Sequence, residues 1–292
     1  MKHRTDLSII IVSYNTKDLT DDCLRTLYES LKGSKIKTEV VVIDNVSTDG
    51  TKEMIGKKYP KVTLVKNKEN VGFGRANNQG IKMASGDQIL LLNTDIVVLK
   101  DAIVKLYRQS KKRGNAFLGG KLYNADRTSQ ASCGPFFNLT TVMLMLFFKG
   151  DQLGITRFSP NKPIKTDWIS GACIIAPKKL FLKNLLFDES IFMYMDEVDL
   201  LYRARKMGYG TYFYPSARFI HYGAASSKEK KKSPVINIYR GLIYFYKKHY
   251  SYWKLICLYI MLKTKAGVGW IIGVLVGNKY LKSTYGEAFW MV

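Results

Sequence analysis

The chain has 292 residues, 47% of them hydrophobic, enough for one large domain or for a main domain with an appendage. Aromatics at 13% and charged residues at 24% exclude a disordered or low-complexity polymer. The net charge is +23, and residues 202–292 carry +14 of it, with 16 Lys or Arg against Glu229 and Glu287 alone. Such an excess fits either a solvated face or a polyanionic partner: an anionic membrane, a nucleic acid or a phosphorylated ligand.

Cys23, Cys133, Cys173 and Cys257 have no metal-type spacing and read as reduced thiols of a cytosolic protein. The basic start Met1-Lys2-His3-Arg4 precedes an apolar run of only Leu7–Val12, short for a signal sequence, so the first element is a strand at Leu7–Ser13. Leu19, Cys23, Leu24, Leu27 and Leu31 then recur at helical spacing. A strand at Val40–Asp44, a helix at Thr48–Lys58 capped by Ser47 or Thr48, and a strand at Val62–Lys66 follow. After a Gly-rich turn come a helix at Arg75–Ala84, a strand at Gln88–Leu92 and a helix at Asp101–Lys112. This alternation implies an α/β fold with a mostly parallel sheet and helices on both faces, in which ligands bind at the C-terminal strand ends. The second half is less regular. Phe136–Phe148 reads as a buried helix or a flap, Trp168–Pro177 as a strand, and Asp196–Met207 as a helix. Two strands are expected at Thr211–Tyr214 and Arg218–Tyr222, then a charged hinge at Ser226–Pro234. Composition changes there, dividing the chain into a catalytic domain, 1–232, and a helical basic and aromatic extension, 233–292.

The strand ends carry the chemistry. Asn93-Thr94-Asp95 closes the run Ile89–Leu92, and a carboxylate there can hold Mg²⁺ or Mn²⁺ against a diphosphate, or simply cap the turn. Gly72-Phe73-Gly74-Arg75-Ala76-Asn77 opens a helix, where backbone amides and Arg75 suit phosphates, although the third glycine of a dinucleotide fingerprint is absent. Asp44 can accept from a base or ribose, whereas Asp49 reads as a cap. Asp196, Glu197 and Asp199 lie in the first turn of their helix, which suits its dipole; beside Tyr194 and Met195, a desolvated carboxylate also suits a general base. Trp168, next to the small turn at Gly171, can stack on an acceptor sugar or fill the core, and His221 ends a strand as a structural residue or a metal ligand.

In combination, the stretches IIIVSYN (9–15), VVIDNVSTDGT (41–51), NVGFGRANNQG (70–80), LLLNTDIVV (90–98), WISGACIIAPKKLF (168–181) and FDESIFMYMDEVDLLYRARKMGY (187–209) resemble family 2 glycosyltransferases. The likeness is greatest to the rhamnosyltransferase-like branch that builds bacterial surface polysaccharides, and it spans residues 7–225. The resemblance implies a GT-A fold, a nucleotide-diphospho-sugar donor, a glycan or lipid-linked acceptor, and inversion at the anomeric carbon. It puts Ser13, Tyr14 and Asn15 in the nucleotide pocket with Gly74, Arg75, Asn77, Asn93 and Thr94, and Asp44 on the base or ribose. Asp95 matches the last acid of the family's Asp-x-Asp metal motif, with Asn93 in place of the first; Thr94 stands where that branch often has Pro. Glu197 falls on the catalytic-base position, usually Asp, with Asp196 the alternative base; Asp199 and Arg203 are supports, and His221 matches a histidine that approaches the metal.

Two other readings are a nucleotidyltransferase and a basic nucleic-acid binder, and the acidic and Gly-rich strand ends weigh against nucleic acid as the partner. In the extension, the runs Leu255–Leu262 and Ala266–Val276 are each too short to span a bilayer. With Tyr252, Trp253, Lys254 and Lys263 they suit an interfacial helix at the inner face of the cell membrane, or a packing or dimer contact.

Overall fold

The structure, a computed structural model, describes residues 5–183, 185–192, 194–223 and 233–292. Most of the expected hinge at Ser226–Pro234 lies outside the described residues. In chain order the elements are β1 (Leu7–Ser13), α1 (Lys17–Leu31), β2 (Thr38–Asp44), α2 (Thr51–Lys58), β3 (Thr63–Lys66), α3 (Phe73–Met83), β4 (Gln88–Asn93) and β5 (Ile96–Val98). Then come α4 (Ala102–Arg113), β6 (Ala116–Tyr123), β7 (Ser129–Gln130), β8 (Cys133–Gly134), α5 (Leu139–Phe147), β9 (Ile164–Thr166), β10 (Trp168–Ile169) and β11 (Cys173–Pro177). The remainder is α6 (Lys178–Leu182), α7 (Asp196–Lys206), β12 (Gly210–His221), α8 (Ser233–His249), α9 (Tyr252–Leu275) and α10 (Lys279–Met291).

The sheet has the order β3-β2-β1-β4-β11-β6-β12-β5. Its first four strands are parallel; β11 then runs antiparallel between β4 and β6. β1 and β4 are continuous apolar runs because both faces are covered, and Ile9, Ile11, Leu90 and Leu92 join Cys23, Leu24 and Leu27 of α1 in one core. The register pairs Ser13 with Asp44 and Val12 with Asn93, so the polar ends of β1, β2 and β4 share one edge.

Between β4 and β5 there are only Thr94 and Asp95, yet β11, β6 and β12 lie between these strands in the sheet. Four strand spacings amount to about 19 Å, whereas the three Cα steps from Asn93 to Ile96 reach at most about 11 Å. This end of the sheet therefore curls back on itself, and Thr94-Asp95 is the link that closes it.

Several elements differ from the sequence reading. α2 begins at Thr51, because the Ser47 amide bonds Asp44 and the Thr48 amide bonds Asn15, while Asp49 Oδ1 accepts from the Thr51 amide. Trp168–Pro177 is two strands in different sheets, split by the turn at Ser170–Ala172. The expected pair in 211–222 is one strand, β12, whose register against β6 shifts between Tyr214 and Arg218.

The contacts divide the chain into two units, and the division differs from the boundary expected at 232. The first holds the described residues of Met1–Gly134, Phe158–Phe192 and Asp196–Ser226; the second holds Pro135–Arg157, Met193–Met195 and Ser227–Val292. The extension takes α5 with it because that apolar helix packs on α9. Within the second unit the two apolar runs join in one helix, since Lys263, Thr264 and Lys265 continue it without a breaker. At 24 residues α9 is long and apolar enough to cross a membrane by length and composition, which corrects the reading of each run as too short. Leu255, Leu258, Leu262, Ala266 and Gly273 are buried on one side of it, while Trp253, Ile256, Ile260, Ile271 and Leu275 are exposed on the other.

Candidate active site

The site forms where the strand ends of the first unit meet. Ser13 Oγ donates to Asp44 Oδ1 at 2.9 Å, and the Ser47 amide donates to Asp44 Oδ2 at 2.9 Å. Asp44 is fully buried, so a direct contact with a base or ribose requires one of these bonds to give way. Asn15, with φ of 50°, donates from its amide to Ser47 Oγ at 2.9 Å and accepts from the Thr48 amide at 2.8 Å. The ends of β1 and β2 are thus laced into one rim, beside which Tyr14 is 37% exposed and free to stack on a base.

The Gly-rich turn is held by side-chain amides that sequence reasoning left without a role. Asn45 Nδ2 donates to Asn70 Oδ1 at 3.2 Å, Asn67 Nδ2 to Asn45 Oδ1 at 2.8 Å, and the Gly72 amide to Asn70 Oδ1 at 3.0 Å. Gly72 takes φ of 84°, which only glycine adopts without strain. The signal for these residues was the density of Asn in 67–78. Gly74 and Asn77 each have a structural part in this segment. A Cβ at Gly74 would lie 3.0 Å from Phe187 Cβ, so its small size serves packing, and Asn77 Nδ2 bonds the Phe73 carbonyl of its own helix at 3.0 Å. Arg75 is exposed and 3.5 Å from Glu189 Oε2, within reach of an anion.

The central feature is Asn93-Thr94-Asp95. The Asn93 amide donates to the Ala172 carbonyl at 3.0 Å, tying β4 to the turn that carries Gly171. A Cβ on Gly171 would lie 3.5 Å from Glu197 Cβ, so the carboxylate at the start of α7 packs on this turn. Thr94 Oγ1 accepts from Thr16 Oγ1 at 3.2 Å. Asn93 Oδ1 is buried with no hydrogen-bond partner among the described residues. Asp95 Oδ1 lies 3.3 Å from His221 Nε2, at the point where β12 pairs with β5.

This set fits a divalent cation of the Mg²⁺ or Mn²⁺ type, because such ions take one or two protein ligands and complete their shell with phosphate and water. Asp95 and His221 would hold it. Among the described residues no three His, Cys, Asp or Glu side chains form a metal-binding group, so the ion would rely on the diphosphate for its remaining ligands.

Asp196 and Glu197 are adjacent but unlike. Asp196 is buried, and burial together with the neighbouring Glu197 carboxylate holds its carboxyl well above the usual range. Its Oδ2 has no hydrogen-bond partner among the described residues. Asp199 is buried and paired with Arg203 Nε at 2.8 Å, and the Arg203 guanidinium also donates to the Leu186 carbonyl at 2.6 Å, which anchors α7. Trp168 is 3% exposed and its ring lies in the core, so the sugar-stacking role expected of it is corrected. Of the cysteines, Cys23, Cys133 and Cys173 are buried, and burial pushes the Cys173 thiol up to about 12, which leaves it inert.

The fold has the GT-A architecture. The mannosyltransferase PcManGT from Pyrobaculum calidifontis, solved in complex with GDP-Man and Mn²⁺, superposes with a TM-score of 0.59 over 98% of this chain and 86% of its own, at 16% identity. Residues 8–145 match the model of the family described as glycosyl transferase family 2. Two rhamnosyltransferases are among the proteins this chain is similar to. The N-acetylglucosaminyl-diphospho-decaprenol L-rhamnosyltransferase of Mycobacterium tuberculosis is 27% identical over 240 residues, 73% of this chain and 76% of that protein. The rhamnosyltransferase WbbL of Escherichia coli is 25% identical over 223 residues, 73% of this chain and 82% of WbbL.

Proposed function

We propose that this chain moves a sugar from a nucleotide-diphospho-sugar to a hydroxyl of a glycan or lipid-linked acceptor in cell-envelope polysaccharide synthesis, with inversion. The observation that carries this reading is the convergence on β4: Asp95 faces His221, while Asn93 is tied through Ala172 to the turn on which Glu197 packs. Asp95 and His221 would hold the cation, and Ser13, Tyr14, Asn15 and Arg75 would meet the nucleotide. A divalent ion, when bound, offsets the charge that builds on the departing diphosphate.

Glu197 takes the proton from the acceptor hydroxyl. The oxygen attacks the anomeric carbon from the side opposite the leaving group, and the bond to the diphosphate breaks with its electron pair going to the nucleotide. Burial and the neighbouring carboxylate disfavour the ionised form of Asp196, which makes it the poorer base of the two. General-base help of this kind contributes about 10²–10⁴-fold, with positioning of the two substrates adding to it. The apolar and basic helices of the second unit keep the enzyme at the inner, cytoplasmic face of the membrane, where a lipid-linked acceptor would be presented.

The test is a hydrolysis and transfer screen with dTDP-rhamnose and the common UDP-sugars. Release of nucleoside diphosphate from one donor, increased by an acceptor, supports the reading. Formation of a nucleotide-sugar from a sugar phosphate, with no release from any donor, would replace it with nucleotidyl transfer.

A further inference from the structure

β7 contributes only Ser129 and Gln130, yet Gln130 engages both ends of its side-chain amide. Its Nε2 donates to the His221 carbonyl at 3.2 Å and to Asn124 Oδ1 at 2.9 Å. Its Oε1 lies 2.7 Å from His221 Nδ1. The direction of this amide is not free. Turning it over would set its oxygen against the two oxygens that Nε2 now serves. Asn124 cannot turn over to compensate, because its Nδ2 donates to Thr128 Oγ1 at 2.9 Å and that hydroxyl gives its own proton to Asp126 Oδ1 at 2.6 Å. The hairpin carrying Asn124 is itself fixed: the Asn124 amide bonds the Thr128 carbonyl at 2.9 Å, and Asp126 Oδ1 accepts from the Thr128 amide at 2.9 Å.

Gln130 Oε1 therefore accepts, and the proton of a neutral His221 sits on Nδ1. The lone pair is then on Nε2, the atom that faces Asp95 Oδ1 at 3.3 Å. Two acceptors at that separation repel unless a cation, or a second proton on the ring, lies between them. We propose that Gln130 is a positioning residue that fixes the His221 tautomer and ring, so that Nε2 is presented, unprotonated, to a divalent cation shared with Asp95. Outer partners of this kind raise metal affinity by orienting the ligand in advance. The inference rests on the reading of Asp95 and His221 as the cation's ligands.

The tautomer can be read without metal. Full-length protein labelled with ¹⁵N-histidine at pH 8, where an ordinary imidazole is neutral, gives long-range ¹⁵N–¹H patterns that separate Nδ1–H from Nε2–H. The chain has three histidines, and the signal lost in His221→Asn identifies the one that matters. Wild type should show Nδ1–H. Gln130→Met, similar in size but without the amide, should move His221 toward Nε2–H, which can donate to Asp95, and should weaken binding of Mn²⁺ alone by about 10- to 100-fold by electron paramagnetic resonance. Gln130→Glu keeps an acceptor for Nδ1–H and should retain the tautomer, at a cost in stability because its second oxygen then faces the His221 carbonyl and Asn124 Oδ1.

An Nε2–H tautomer in wild type overturns the inference, as does a folded Gln130→Met variant that binds Mn²⁺ like wild type. If that variant does not fold, the wild-type tautomer and the Glu variant still decide. Asp95→Ala and His221→Asn distinguish the two levels. If neither loses Mn²⁺, the ligand reading is wrong; if both do and Gln130→Met does not, only the role of Gln130 fails.

Discussion

Glu197 and Asp196 share a helix turn but meet opposite environments, and each can be tested by an amide. Glu197→Gln keeps the shape and cannot accept a proton, so transfer should fall by at least about 10²-fold while nucleotide binding, followed by calorimetry, stays near wild type. Near-normal turnover would move the base to Asp196. Asp196→Asn speaks through stability. With its native proton affinity raised, the folded state holds more protons than the unfolded one between the ordinary carboxylate range and the raised value, so stability falls as pH rises through that interval. The Asn variant lacks this loss. Its melting temperature should exceed that of wild type at pH 8, and the gap should close near pH 4. Asp95→Ala should weaken nucleoside-diphosphate binding strongly with Mn²⁺ present and little in EDTA; equal weakening in both would mean that Asp95 touches the nucleotide directly. Asp95 and Glu197 were singled out by the motifs around them and not by residue type, since a carboxylate closing a strand also caps a turn and one opening a helix also suits its dipole. Gln130 was not, because its partner His221 is 91 positions away and nothing local marks it. Trp168 misled for the reverse reason: the small turn beside it was visible, and the strand pairing that buries its ring was not.

The apolar runs predicted β1 and β4 well, because a strand covered on both faces leaves no other use for Ile9–Val12 or Ile89–Leu92. The strands β5, β7, β8 and β10 have two or three residues each, too few to show a period, and they were missed or merged. They owe their existence to tertiary pairing, and that pairing builds the Asp95–His221 edge. Close approach of elements also depends on glycines whose reason is invisible in sequence. α3 lies on β1 at Gly80, where a Cβ would come within 2.4 Å of Ile10 Cγ2. Gly80→Ala should destabilise the protein by about 1–3 kcal/mol, the usual range for overpacking, seen as a lower urea midpoint with an unchanged slope. A midpoint equal to wild type would mean that α3 shifts without penalty, and the rim that Asn70 and Gly72 form at its start should then be checked by nucleotide affinity.

At the scale of the molecule, the second unit was legible as basic and aromatic, but its membership was not: α5 joins α9 from more than a hundred positions away. Removing residues 235–292 should reduce binding to anionic liposomes while nucleotide binding persists. Each basic residue near an anionic surface contributes on the order of 1 kcal/mol, and apolar burial roughly 25 cal/mol per Å². Salt screens the first and spares the second. Raising ionic strength should therefore release the full chain only in part, with Trp253, Ile256 and Ile260 remaining inserted; full release would make the extension an electrostatic tether, and no liposome binding at all would favour a dimer contact. The truncation should also slow turnover, because Met195, joined directly to Asp196, packs where Gly241 of α8 leaves room: a Cβ there would sit 2.8 Å from Met195 Cγ. One feature of the first unit bears on inheritance. The curled sheet is closed by Thr94 and Asp95 alone, so a deletion there would leave β4 and β5 too far apart to join, and an insertion would move Asp95 off His221. The fold thus constrains the length of this link, two residues, independently of which residues fill it.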